Sequence, residues 1–140
     1  MTDLQLAKSN LAGHSICLVK GGECLTSDKR GIAPMMQFVA QEYDLTGYSV
    51  ADLVVGKAAA MLFVKCGIKA VFAKTLSLAG QEVLEQYGIP YEYETLTPKI
   101  INREGTDICP MEKTVANTSD PQEAYLLLRE KLQAMKHTNP

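Results

Sequence analysis

The sequence has no apolar run of the roughly eighteen residues that a membrane span needs, no block of lysine or arginine, no internal repeat, no low-complexity tract and no C-x-x-C pair. The opening MTDLQLAKSN has neither the cationic start nor the apolar core of a signal peptide, so a cytoplasmic location and no membrane partner are expected. Its 14 basic and 16 acidic residues leave a net charge of -2 and are scattered along the chain. That leaves no basic field for a nucleic-acid partner. Cys17, Cys24, Cys66 and Cys109 show no paired spacing, so neither a disulfide framework nor a zinc site is expected, and free thiols in a reducing compartment are. No cofactor is called for.

What is present is ordinary globular material. With 140 residues, 46% apolar and 21% charged, the chain suits one domain over residues 1–140 with a single full core. Residues 3–11 carry Leu4, Leu6, Ala7 and Leu11 at helical spacing before Gly13, a short amphipathic helix. SICLVKGGECLTS holds two β-prone runs around Gly21-Gly22. A two-residue turn there pairs Lys20 with Glu23, Val19 with Cys24 and Cys17 with Thr26, leaving Cys17 and Cys24 diagonal to each other. Pro34 suits a first helical turn, with Met35, Met36, Phe38 and Val39 as an apolar face up to about residue 43.

DLVVGKAAAMLFVKCG, residues 52–67, is apolar on nearly every side and is expected to form a mostly buried helix. KAVFAK follows as a strand, LAGQEVLEQYG as a helix ended by Gly88, and PYEYETL as a strand with Tyr91 and Tyr93 on a covered face and Glu92 and Glu94 on a wet one. PKIIN is a candidate short strand. Asp120, Pro121 and Glu123 open a final helix. Alternating helices and strands imply parallel crossovers. The expected fold is a three-layer α/β/α sandwich whose mixed sheet begins with an antiparallel hairpin.

VADLVVGKAAA, INRE and ICPMEK, in this order and behind this hairpin, resemble a family of small prokaryotic domains of unknown function with a cytidine deaminase-like fold. The likeness spans about residues 5 to 130. It implies that fold and the place of a pocket. Zinc deaminases draw their ligands from two helix starts, as H-x-E or C-x-E and P-C-x-x-C, with the Glu moving protons. The first start here offers Val55-Gly56-Lys57, with lysine at the glutamate's place. The second lies near Thr75 to Gly80 and has no cysteine, and the two histidines, His14 and His137, fall outside both. The resemblance therefore implies a pocket without zinc and without the deaminase mechanism.

Lys57 has no carboxylate three or four residues away. Either its stem lies along the core edge and the ammonium snorkels to water, or it enters the pocket to bind an anion, act as a base or form an imine. Asp52 completes S-x-x-D with Ser49, a capping box, or it contacts ligand. Gly56 inside a helix marks a close approach by packing or by ligand. Thr75 and Ser77 stand where a strand gives way to a helix, the ligand-binding end of open α/β sheets, and Ser77 also suits an N-cap. In ICPMEK, Pro110 places Cys109 just before a helical turn, where a thiol is activated, with Glu112 and Lys113 close by; the alternative is an inert buried cysteine. Asn102 and Arg103 either touch ligand or brace their loop. Two functions remain open. One is a domain binding an unidentified small molecule, anionic or nucleobase-like. The other is a metal-free enzyme using Cys109 or Lys57 as nucleophile. Association into homo-oligomers is compatible with both.

Overall fold

The computed structural model describes residues 1–138, with side chains described through residue 136, so His137 lies outside the described side chains. Its elements are α1 (Asp3–Asn10), β1 (Ile16–Lys20), β2 (Glu23–Ser27), α2 (Ala33–Ala40), β3 (Ser49–Val55), α3 (Lys57–Lys65), β4 (Ala70–Ser77), α4 (Leu78–Gln86), β5 (Tyr91–Thr97), α5 (Pro110–Val115) and α6 (Pro121–Thr138). The sheet runs β2-β1-β3-β4-β5. Its first three strands are antiparallel neighbours, and β3, β4 and β5 are parallel. This is a mixed-sheet α/β fold with the expected hairpin first. Gly21 and Gly22 both take positive φ, as the two central positions of a twist-matched hairpin turn require. The register is the anticipated one, Val19 opposite Cys24 and Cys17 opposite Thr26.

The main correction concerns residues 52–67, which are a strand and a helix rather than one helix. Val50, Val54 and Val55 are β-branched and favour a pleated surface, whereas Ala58-Ala59-Ala60 favours helix. Because β3 is a central strand, its first four residues are buried on both faces and show no alternation to reveal a strand. Gly56 is the N-cap of α3. Ser49 and Asp52 therefore cap nothing: both lie in β3, and the S-x-x-D reading fails because the backbone there is extended. Inside α3, residues Ala58 to Phe63 are all buried, consistent with a helix apolar all round.

Two cores flank the sheet. Ile16, Leu18, Val50 and Val71 pack on one face beneath Met35 of α2, Met61 and Phe63 of α3, Leu84 of α4, Val115 of α5 and Leu128 of α6. Cys17, Val19, Ala51 and Phe72 pack on the other beneath Ala7 of α1 and Leu11, its C-cap. Thr2 caps α1 through a capping box with Gln5.

With only eight residues, α1 packs on β1, β3 and β4 and reaches β5 through Lys8, whose Nζ pairs with Glu92 at 2.9 Å, so that most of β5 stays exposed. Hence β5 does not have one covered and one wet face. Tyr91 packs partly against the core, but Tyr93 is exposed, as Glu92 and Glu94 are. PKIIN contributes only a single bridge, Ile101 to Ile108. The final helix is as expected, with Asp120 accepting from the amides of Gln122 and Glu123. No helix among the described residues is long and apolar enough to cross a membrane.

Candidate functional site

β3 and β4 are parallel neighbours, with Val55 opposite Leu76. Gly56-Lys57 just after β3 and Ser77-Leu78 at the end of β4 are therefore side by side at the carboxyl ends of these strands, and each pair begins a helix. Ser77 caps α4, its Oγ accepting from the Gly80 amide at 3.0 Å. Gly56 has no side chain with which to cap α3, and the two leading amides of that helix need another acceptor.

Glu112 supplies it from 55 positions away. Its Oε1 accepts from the Lys57 amide at 2.7 Å and its Oε2 from the Ala58 amide at 2.8 Å. A carboxylate at a helix N-terminus is favoured both by hydrogen bonding and by the helix dipole. The fit depends on glycine, because a Cβ at residue 56 would overlap the Glu112 carboxylate. Gly80 packs almost as tightly, its Cβ position 3.0 Å from the backbone of Val55 and Gly56. The two glycines let the starts of α3 and α4 meet with a carboxylate between α3 and α5.

Lys57 returns the contact. Its Nζ donates to the carbonyl of Ala116 at 3.0 Å, and Ala116 is the C-cap of α5, where a cation complements the helix dipole. Each helix thus receives its missing partner from the other, and the half-buried Lys57 has a protein partner for its ammonium at an exposed position.

Beside this junction lies a cavity of about 410 Å³, within the range of small-molecule sites. Lys57, Ser77 and Glu112 line it, as do Glu82 and Gln86 from α4, Lys99 from the strap after β5, and Thr118 and Ser119 before α6. Met61, Val83, Pro98, Ile100 and Ile108 supply apolar wall. Local sequence offered one clue to Glu82 and Gln86, which are polar four apart beside Val83 on an amphipathic helix. Nothing local marks Lys99 or Ser119.

The other candidates from the sequence border different ground. Cys109 is half-buried and is the N-cap of the six-residue α5, with Pro110 at its first position; it does not line the cavity. Thr75 sits within β4 opposite Val54 and Thr95. Asn102 braces its loop, accepting from the Thr106 amide at 3.0 Å and donating to the Thr106 hydroxyl. Arg103 is exposed in that loop. Lys113 pairs with Asp107 and holds that carboxyl below its usual range. Asp52 is buried in β3, and burial pushes it up to about 8 against the opposing pull of the Val54 and Leu53 amides. Among the described residues no three His, Cys, Asp or Glu side chains converge in a metal-binding group.

A crystal structure of a DUF1893 family protein, TM1506 from Thermotoga maritima, shares the fold with a TM-score of 0.83 at 24% identity, covering 94% of this chain and 91% of that one. The dCMP deaminase of cyanophage S-TIM5 aligns with a TM-score of 0.45 at 14% identity, over 64% of this chain and 92% of that one. Among curated proteins none matches the chain in sequence. The family model TM1506, domain of unknown function (DUF1893), matches residues 6–132, and the chain belongs to that family.

Proposed function

We propose that the chain is a small-molecule-binding domain and that its ligand occupies the cavity at the starts of α3 and α4. The observation that carries the reading is the meeting, around one apolar wall, of charges from four separate segments: Lys57, Glu82, Lys99 and Glu112. The carboxyl end of parallel strands is also where open α/β sheets take ligands.

The chemistry favours a small polar ring with an anionic group. Glu112 already satisfies the α3 amides, so the ammonium groups of Lys57 and Lys99 are the cations left to meet an anion. Glu82, Gln86 and Ser119 offer the mixed acceptors and donors that a nucleobase-like edge needs, against Ile100 and Ile108.

A catalytic version rests on Lys57, which borders the cavity whereas Cys109 does not. A neutral Lys57 amine would condense with a carbonyl substrate, expelling water to form an imine. Borohydride trapping followed by peptide mapping separates this version from simple binding.

Native mass spectrometry of chain purified without added ligand tests the binding reading. The expected result is a retained small molecule, or uptake of uracil or uridine monophosphate added in excess, that Lys57→Met weakens by tenfold or more. Wild-type chain that retains nothing and takes up neither probe counts against it.

A further inference from the structure

On the opposite face of the sheet from the cavity, the hairpin brings two thiols together. Cys17 is in β1 opposite Thr26, and Cys24 is in β2 opposite Val19, so the two are diagonal neighbours on one face. Cys17 is fully buried beneath α1 with Ala7, Leu11 and Phe72, while Cys24 is exposed. Asn10, the last residue of α1, donates its Nδ2 to the Cys24 sulfur at 3.4 Å. At its other end α1 is tied to the same hairpin, because Asp3 Oδ2 accepts from the Gly21 amide at 3.0 Å.

We propose that Cys17 and Cys24 are a peroxide-reactive dithiol, with Cys24 the attacking sulfur and Cys17 the resolving one. Cys24 attacks one oxygen of a hydroperoxide, breaking the O–O bond; the sulfur becomes a sulfenic acid and the other oxygen leaves as water or alcohol. The Cys17 thiol then attacks that sulfur, its proton leaves with the hydroxyl as water, and the S–S bond forms. The two sulfurs together give up two electrons, and the peroxide accepts them. A diagonal pair lies about 7–8 Å apart between Cα atoms, at or beyond the upper end of what a disulfide spans. Closing the bond therefore draws the strands together and pulls Cys24 from Asn10. A bond closed under that load is readily reduced by small thiols. Release of Asn10 loosens the far end of α1, the helix that covers that face of the sheet among the described residues.

The test is hydrogen peroxide added to the full chain, followed by alkylation and non-reducing tryptic mapping, in which cleavage at Lys8, Lys20 and Lys29 separates the two cysteines. The expected product is a dithiothreitol-reversible link between residues 9–20 and 21–29, with Cys66 and Cys109 still alkylated and faster amide exchange along α1. With Cys17→Ser, Cys24 is expected to stop at a sulfenic acid trapped by dimedone. With Cys24→Ser, a surface change that should not disturb folding, buried Cys17 is expected to stay a thiol. Wild-type Cys24 that advances to sulfinic acid, links chains together or does not react while Cys17 remains alkylatable overturns the proposal.

Discussion

Glu112 fills the space that a side chain at Gly56 would take, and from there it accepts from the first two amides of α3. This one relationship couples α5 to the start of α3 and shapes the wall of the cavity. Gly56→Ala should displace the carboxylate and cost about 1–3 kcal/mol, and Glu112→Ala about 1–2 kcal/mol. Together they should cost less than their sum by about 1 kcal/mol, measured by urea unfolding of all four chains. Additive losses would mean that the two residues do not oppose each other.

Lys57→Met removes the hydrogen bond to the Ala116 carbonyl but keeps the long stem. A loss of about 1 kcal/mol or less is expected, with the fold retained and ligand uptake reduced. A chain that fails to fold would make Lys57 a structural residue first, and unchanged uptake would remove it from the site.

Asp52 gives a pH dependence of definite sign. Its carboxyl is pushed up to about 8 in the folded chain, against about 3.9 when unfolded. Between those values the folded state holds a proton that the unfolded state has released, so the group's contribution is fully present below about pH 4 and is lost as pH rises toward 8. The slope from this group is at most about 1.4 kcal/mol per pH unit. Asp52→Asn keeps an acceptor for the Val54 and Leu53 amides and has nothing to ionise. Its stability should fall less than wild type between pH 5 and 8, and exceed it at pH 8. Parallel curves for the two chains would place the pH dependence elsewhere.

Zinc deaminase chemistry is expected to be absent, because neither Val55-Gly56-Lys57 nor Ser77 to Gly80 supplies a histidine or cysteine. Elemental analysis should find no stoichiometric zinc, and cytidine, deoxycytidine and guanine should be returned unchanged. Bound zinc accompanied by release of ammonia would contradict this.

The parts of the fold governed by local chemistry were legible in the sequence. Gly21-Gly22 set the hairpin register, Ser77 announced a helix cap, and Asp120-Pro121 opened α6. β3 was not legible, because burial on both sides erased its alternation and its valines ran straight into the alanines of α3. The edge position of β5 was hidden as well, since YEYETL alternates whether or not a helix covers it. At the site, Ser77 could be picked out at a strand-to-helix junction, and Lys57 as a lone charge in an apolar run, though not as the residue after a strand. The role of Glu112 could not: it rests on amides 55 positions away, and no local pattern encodes that meeting.

A fragment screen mapped by amide chemical shifts tests the cavity most directly. With a broad library of small polar rings and carboxylates, hits are expected to move the amides of Lys57, Ala79, Thr118 and Ser119 together, and to lose affinity on Lys57→Met. Hits that gather elsewhere, or a library that leaves these four amides still, would contradict a ligand site between α3 and α4.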